Sequence, residues 1–145
     1  MGQSWRRRCF ATVGAGQTRY RLAMAWLMVA VGGAVGSVAR FAVAAGVARF
    51  GNPTPYATGI VNVLGCAIAG VLLGLVAGQR LSLSPDQRAL IFSGVLGGLT
   101  TFSGVGIDTL ALTQEARLIT AILNIAGQVI IGLAALFAGY ALSRG

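Results

Sequence analysis

The sequence predicts an all-α membrane protein with four transmembrane helices, the third of them broken midway. Three observations predict it. The chain of 145 residues is 56% hydrophobic and only 10% charged, with a mean hydropathy of +0.80, whereas a soluble domain carries about 25% charged residues. Four stretches each supply the roughly 20 apolar residues that one bilayer crossing needs. The third stretch is interrupted by Gly97-Gly98-Leu99-Thr100-Thr101-Phe102-Ser103-Gly104, poor material for a continuous membrane helix. A backbone that breaks inside a bilayer leaves N–H and C=O groups without partners, at several kcal/mol each. Such a break persists only where protein, water or an ion satisfies the freed groups, so the octet reads as a site.

Residues 1–21 are a basic tail holding Arg6, Arg7, Arg8, Arg19 and Arg21, and residues 22–145 are one transmembrane domain. An arginine-rich start before an apolar run has the form of a signal peptide. Here the apolar run is too long for a signal core and ends at Arg40-Phe41 rather than at a small-residue cleavage site. Met24-Ala25-Trp26-Leu27 is an alternative start, which would leave the tail untranslated.

The first span runs from about Leu22 to about Val47, with Arg40 as its only charge and Gly32 and Gly36 one turn apart. Gly51-Asn52-Pro53-Thr54-Pro55 is a turn cluster. The second span lies within Phe50–Gln79 and carries Asn62, Cys66, Gly70, Gly74 and Gly78 at four-residue spacing. Small residues so spaced let helix backbones approach closely. Ser82-Leu83-Ser84-Pro85-Asp86 is a second turn, with Ser84 as N-cap and Pro85 at the first helical position. The third span, about Ala89 to Leu112, contains the octet and Asp108. The fourth lies within Leu118–Ser143 and carries Asn124 and Gln128 on one face. Short loops predict sequential helices as antiparallel neighbours.

Charge constrains orientation and function. All 11 basic residues are arginine. With the tail, five arginines join Arg80, Arg88 and Arg144 on one side, against Arg49 and Arg117 on the other, which predicts both termini in the cytoplasm. A chain begun at Met24 leaves three against two, a balance that permits both orientations. The arginines form no basic patch with interleaved aromatics, so nucleic acid is not a predicted partner; membrane lipid is. With no histidine, and with Cys9 in the tail and Cys66 in a span, neither a His-based metal site nor a disulfide framework is expected. The acids Asp86, Asp108 and Glu115 form no carboxylate pair, and no nucleophile–base set exists. The chain does not read as an enzyme.

Several polar residues sit where apolar ones are expected, each with two readings. Asn62 needs a partner, either another helix or a polar pathway. Asn124 and Gln128 are interhelical glue or, with Asn62 and Thr58, a hydrogen-bonded track. Arg40 snorkels to the interface or supplies positive charge to an anion vestibule. Asp108 is a structural acid, paired with an arginine or capping the second half of the broken helix.

Three motifs resemble the CrcB (Fluc) family of fluoride channels, over about Met24 to the C-terminus. Gly32-Gly33-Ala34-Val35-Gly36-Ser37-Val38-Ala39-Arg40-Phe41 is similar to the family's GGxxGxxxR(Y/F). Thr58-Gly59-Ile60-Val61-Asn62-Val63-Leu64-Gly65 is similar to its TLxxNxxG. Gly97-Gly98-Leu99-Thr100-Thr101-Phe102-Ser103 is similar to its most specific signature, GGxTTFS. The resemblance implies a passive, fluoride-specific channel in the bacterial inner membrane that lowers fluoride toxicity. It implies an antiparallel, dual-topology dimer with two pores, and a central structural sodium ion held by the backbone carbonyls of Gly97 and Thr100. It implies a fluoride path along Asn62, Thr101, Phe102 and Ser103, with Arg40 and Asp108 matching the family's arginine and acid. An aromatic ring edge is partly positive, so Phe102 suits an anion that must also leave.

The chain departs from the family after the signature, where TTFSTFSxE is usual. Gly104, Val105 and Gly106 replace a threonine, a second pore phenylalanine and a serine, and Asn124 and Gln128 stand where a tyrosine and a serine are expected. A homodimer would lack the second ring in both pores. The expected partner is therefore a second copy or a second CrcB-like subunit, with an inactive or partner-dependent subunit as the alternative. A small proton-coupled drug exporter shares the architecture but needs a carboxylate in the first span, which has none.

Overall fold

The computed structural model describes residues 19–49, 51 and 56–145, and every regular element within them is helical. The tail through residue 18, with Arg6, Arg7, Arg8 and Cys9, and residues 52–55 of the turn cluster lie outside the described residues. Four segments are long and apolar enough to cross a membrane: Leu22–Ala48, Tyr56–Ala77, Pro85–Gln114 and Leu118–Arg144.

Helix α1 spans Arg19–Ala48 and α2 spans Tyr56–Ala77. The third crossing is compound. It opens with α3 (Pro85–Arg88), widens into a π-helical segment over Ala89–Leu96, and tightens again in α4 (Gly97–Leu99). After the break it resumes as α5 (Phe102–Gln114), and α6 spans Leu118–Arg144. Ser84 caps α3 as expected. Its Oγ accepts from Gln87 N at 3.2 Å and its N–H donates to Gln87 Oε1 at 2.8 Å, a reciprocal capping box with Pro85 at the first helical position. Helices α2 and α5 are each followed by a non-glycine residue in the left-handed region, Gln79 (φ 59°) and Ala116 (φ 58°). In both places a following N–H turns back onto the helix, Arg80 N to Leu75 O and Arg117 N to Leu112 O, each at 2.9 Å.

The crossings pair alternately, not sequentially. α1 lies against the first half of the third crossing. A Cβ on Gly32 would stand 2.9 Å from Val95 N, and one on Gly36 2.8 Å from Leu99 N. α2 lies against α6, where a Cβ on Gly70 would stand 2.9 Å from the Leu136 carbonyl carbon, on Gly74 2.6 Å from Tyr140 O, and on Gly78 2.7 Å from Arg144 O. In each pair the two residue numbers rise together, so the paired helices are parallel. Parallel alternate crossings are what four full traverses require. Sequential crossings are antiparallel and in contact, as expected, but they are not the closest pairs: α1 and α2 touch only lightly. The reason is the glycine rows, which bring backbones into direct contact between the odd crossings and between the even ones.

Candidate functional site: the broken crossing and its amide relay

The break falls at the two threonines. Thr100 (φ −81°, ψ 153°) and Thr101 (φ −152°, ψ 116°) are extended, while Gly97 and Gly98 remain helical. Gly98 is needed for approach: a Cβ there would lie 2.5 Å from Gly33 O of α1. Gly65 of α2 leaves room in the same way for the Thr100 methyl.

Two of the donors displaced by the break have side-chain partners. In a continuous helix the Thr101 N–H would close on Gly97 O, and the Gly104 N–H on Thr100 O. Instead Thr101 N donates to Asn62 Oδ1 at 2.8 Å, and Gly104 N donates to Thr101 Oγ1 at 3.0 Å. Thr101 is thereby the N-cap of α5. The two diverted donors leave the Gly97 and Thr100 carbonyls without their helical partners. Both residues line a small opening of about 220 Å³, shared with Gly65, Cys66, Phe92 and Leu96.

From Asn62 a chain of hydrogen bonds runs along the α2–α6 contact and back to α5. Asn62 Nδ2 donates to Gln128 Oε1 (2.7 Å) and to Thr101 O (3.2 Å). Gln128 Nε2 donates to Asn124 Oδ1 (2.8 Å), Asn124 Nδ2 to Thr109 Oγ1 (3.1 Å), and Thr109 Oγ1 to Val105 O (2.7 Å). The sense of this relay is fixed at its two ends. The Thr101 N–H can only donate, so Asn62 must present oxygen to it and nitrogen to Gln128. That sets Gln128, and Gln128 sets Asn124. At the other end the Val105 carbonyl can only accept, which points the Thr109 hydroxyl toward it and leaves Thr109 Oγ1 to accept from Asn124. Both N–H groups of Asn62 are engaged. Gln128 and Asn124 each keep one N–H unengaged among the described residues and line an open groove of about 650 Å³ whose other walls, including Gly59, Ile60, Val63 and Ile131, are mainly apolar.

The remaining candidates are placed as follows. Phe102 is 81% exposed at the start of α5, whereas Val105, one turn later, is 5% exposed. Ser103 is exposed and its hydroxyl lies 3.0 Å from Thr101 Oγ1. Thr58 turns its methyl toward Gly104, at 3.2 Å from a Cβ built there, and does not join the relay. Arg40 is half-buried on α1, one turn past the Gly36 contact, with no ion pair among the described residues. Asp108 takes neither role read from the sequence. The cap of α5 is Thr101, and the ion pair found among the described residues joins Arg117 and Glu115. Asp108 lies in the middle of α5, 6% exposed, with Oδ2 unpartnered. Its distance from the helix start, seven residues after Thr101, is the physical reason it caps nothing. Thr109 was not singled out in the sequence, although a hydroxyl four residues after position 105 on the same helix was a signal for it.

Comparison with known proteins agrees with this architecture. The family model described as "CrcB-like protein, Camphor Resistance (CrcB)" matches residues 27–140. A protein of Methylobacillus flagellatus named "Fluoride-specific ion channel FluC" is 39% identical over 120 residues, covering 81% of this chain and 93% of that protein. Proteins of the same name from Rhizobium etli and Chloroflexus aurantiacus are each 40% identical over 119 residues, covering 81% of this chain and 94% of theirs.

Proposed function

The chain belongs to the CrcB-like family, and from that premise we propose that it is the subunit of a fluoride-specific ion channel, a multi-pass protein of the bacterial inner membrane that lets fluoride leave the cytoplasm. It is a channel and not an enzyme, as its named relatives are. The observation that carries the reading is the clasped break. An interrupted helix, tied to the second crossing by Asn62 and flanked by an outward-facing Phe102, joins a polar relay to an open groove.

Gly97 and Thr100 are the cation-binding half of the site. Their carbonyls lose their helical donors to Asn62 and Thr101 Oγ1, and carbonyl oxygen is the ligand type that a hard cation takes. The residues fit sodium, which when bound would neutralise freed acceptors and fasten two subunits of an antiparallel dimer. The anion-conducting half comprises Phe102, Thr101, Ser103 and the relay of Asn62, Gln128 and Asn124, with Arg40 as the positive charge at the approach. Phe102 is exposed and turned away from its own subunit, so it suits a position at the contact with a second copy.

Fluoride efflux from liposomes holding the purified full chain tests this reading. The expected result is fluoride release well above empty vesicles, with chloride retained; a preparation that is monodisperse and releases no fluoride would overturn the homodimeric form. A second reading has a specific observation behind it: Val105 offers no ring edge. In that reading the chain is silent alone and conducts when reconstituted with a second CrcB-like subunit that carries the ring.

A further inference from the structure

Asn62 is doing more than one task. Its carboxamide makes three hydrogen bonds, and two of them reach the break: Oδ1 accepts from Thr101 N at 2.8 Å, and Nδ2 donates to Thr101 O at 3.2 Å. The third, Nδ2 to Gln128 Oε1 at 2.7 Å, braces the carboxamide in the orientation that the Thr101 N–H sets. Both amide N–H groups of Asn62 are thus engaged within the subunit. Gln128 and Asn124, which line the groove, each keep one N–H without a partner among the described residues.

We propose that Asn62 is the positioning residue of the cation site, holding the Gly97 carbonyl open by taking the Thr101 N–H, and that Gln128 locks Asn62 in that role. This rests on the reading of Gly97 and Thr100 as cation ligands. Without the Asn62 oxygen, Thr101 N–H has one natural acceptor nearby, the carbonyl it would meet in an uninterrupted helix, Gly97 O. A cation would then compete with that hydrogen bond for the same oxygen. The polar relay and the cation site are thus one hydrogen-bonded unit, running from Val105 O through Thr109, Asn124, Gln128 and Asn62 to Thr101.

The test is thermal unfolding of the full chain in detergent, across a sodium series held at constant ionic strength with N-methylglucamine. Stability is the readout, independent of flux. Asn62→Leu removes the acceptor and should raise the sodium concentration for half-maximal stabilisation about tenfold, the order expected from one competing hydrogen bond. Asn62→Asp keeps the acceptor oxygen and should stay within about threefold of wild type by the same measure. Ser84→Ala, which removes the α3 cap outside the relay and the break, should leave the midpoint unchanged. An Asn62→Leu protein that melts cooperatively at the wild-type sodium midpoint would overturn the proposal. If Asn62→Leu does not fold, Gln128→Ala decides: a rise of about threefold supports the lock, and an unchanged midpoint overturns it. A wild-type protein whose stability ignores sodium would overturn the cation reading and this inference together, whereas sodium-dependent wild type with unmoved variants overturns the inference alone.

Discussion

Asp108 is the residue whose chemistry fits its surroundings least. It is buried with Val105 and Leu112 on the inward face of α5, and its Oδ2 has no partner among the described residues. A buried polar oxygen without a partner costs stability. Asp108→Asn keeps the shape and removes the charge, so it should raise stability in detergent by about 1 kcal/mol, read as a higher melting temperature. A fall of similar size would show that the carboxylate is engaged by a group supplied on assembly. Val105 sets a related limit. At 5% exposure it is buried, and enlarging a buried, packed position typically costs about 1–3 kcal/mol. The sequence alone suggests Val105→Phe as a simple restoration of a missing ring. The structure adds that the ring must displace neighbours, so flux from this variant has to be read beside its melting temperature.

At the scale of elements, the glycine rows make a sharper prediction than small-residue spacing does. Gly36 has no room for a side chain, since a Cβ there would run into Val95 O and stand 2.8 Å from Leu99 N. Gly33, three residues earlier on the same helix, has nothing within 4 Å of such a Cβ. Gly36→Ala should therefore lower stability by about 2–4 kcal/mol, because α1 must move off the third crossing. Gly33→Ala should change it by no more than about 0.5 kcal/mol, or improve it slightly through helix propensity. Paired melting curves check both, and equal losses would refute the direct backbone contact. Much of this level was legible beforehand. The four spans follow from apolar length, and the Ser84 cap from local chemistry that needs no distant partner. The position of the break was legible only to the octet, since adjacent glycines look like the weaker point. They stay helical because α1 holds Gly98 from outside. Alternate pairing of the crossings, and the threefold use of Asn62, depend on contacts between residues tens of positions apart. No local pattern encodes those. Asn124 and Gln128 announced themselves as polar neighbours, but their partners could not be assigned until α2 and α6 were seen to run parallel.

For the whole molecule, the parallel pairing of alternate crossings bears on assembly. It places the start of α1, the turn around Gln79 and the end of α6 on one side, and the turn around Ala116 on the other. The arginines then divide unequally. Arg80, Arg88 and Arg144 share the side where α1 begins, while Arg49 and Arg117 face across. An antiparallel homodimer needs copies inserted both ways, yet the full chain, with five further arginines in its first 21 residues, is biased toward one. The two demands conflict unless the tail is absent or a second subunit supplies the opposite orientation. Fusing the C-terminus to a reporter that is active only in the cytoplasm, and separately to one active only outside, resolves the conflict. The full chain should light the cytoplasmic reporter alone. A chain begun at Met24 should give signal from both, because three arginines against two set no firm direction. If the full chain also reports from both sides, arginine bias does not govern its insertion. A homodimer would then need no partner, and the case for a heteromeric channel would rest on Val105 alone.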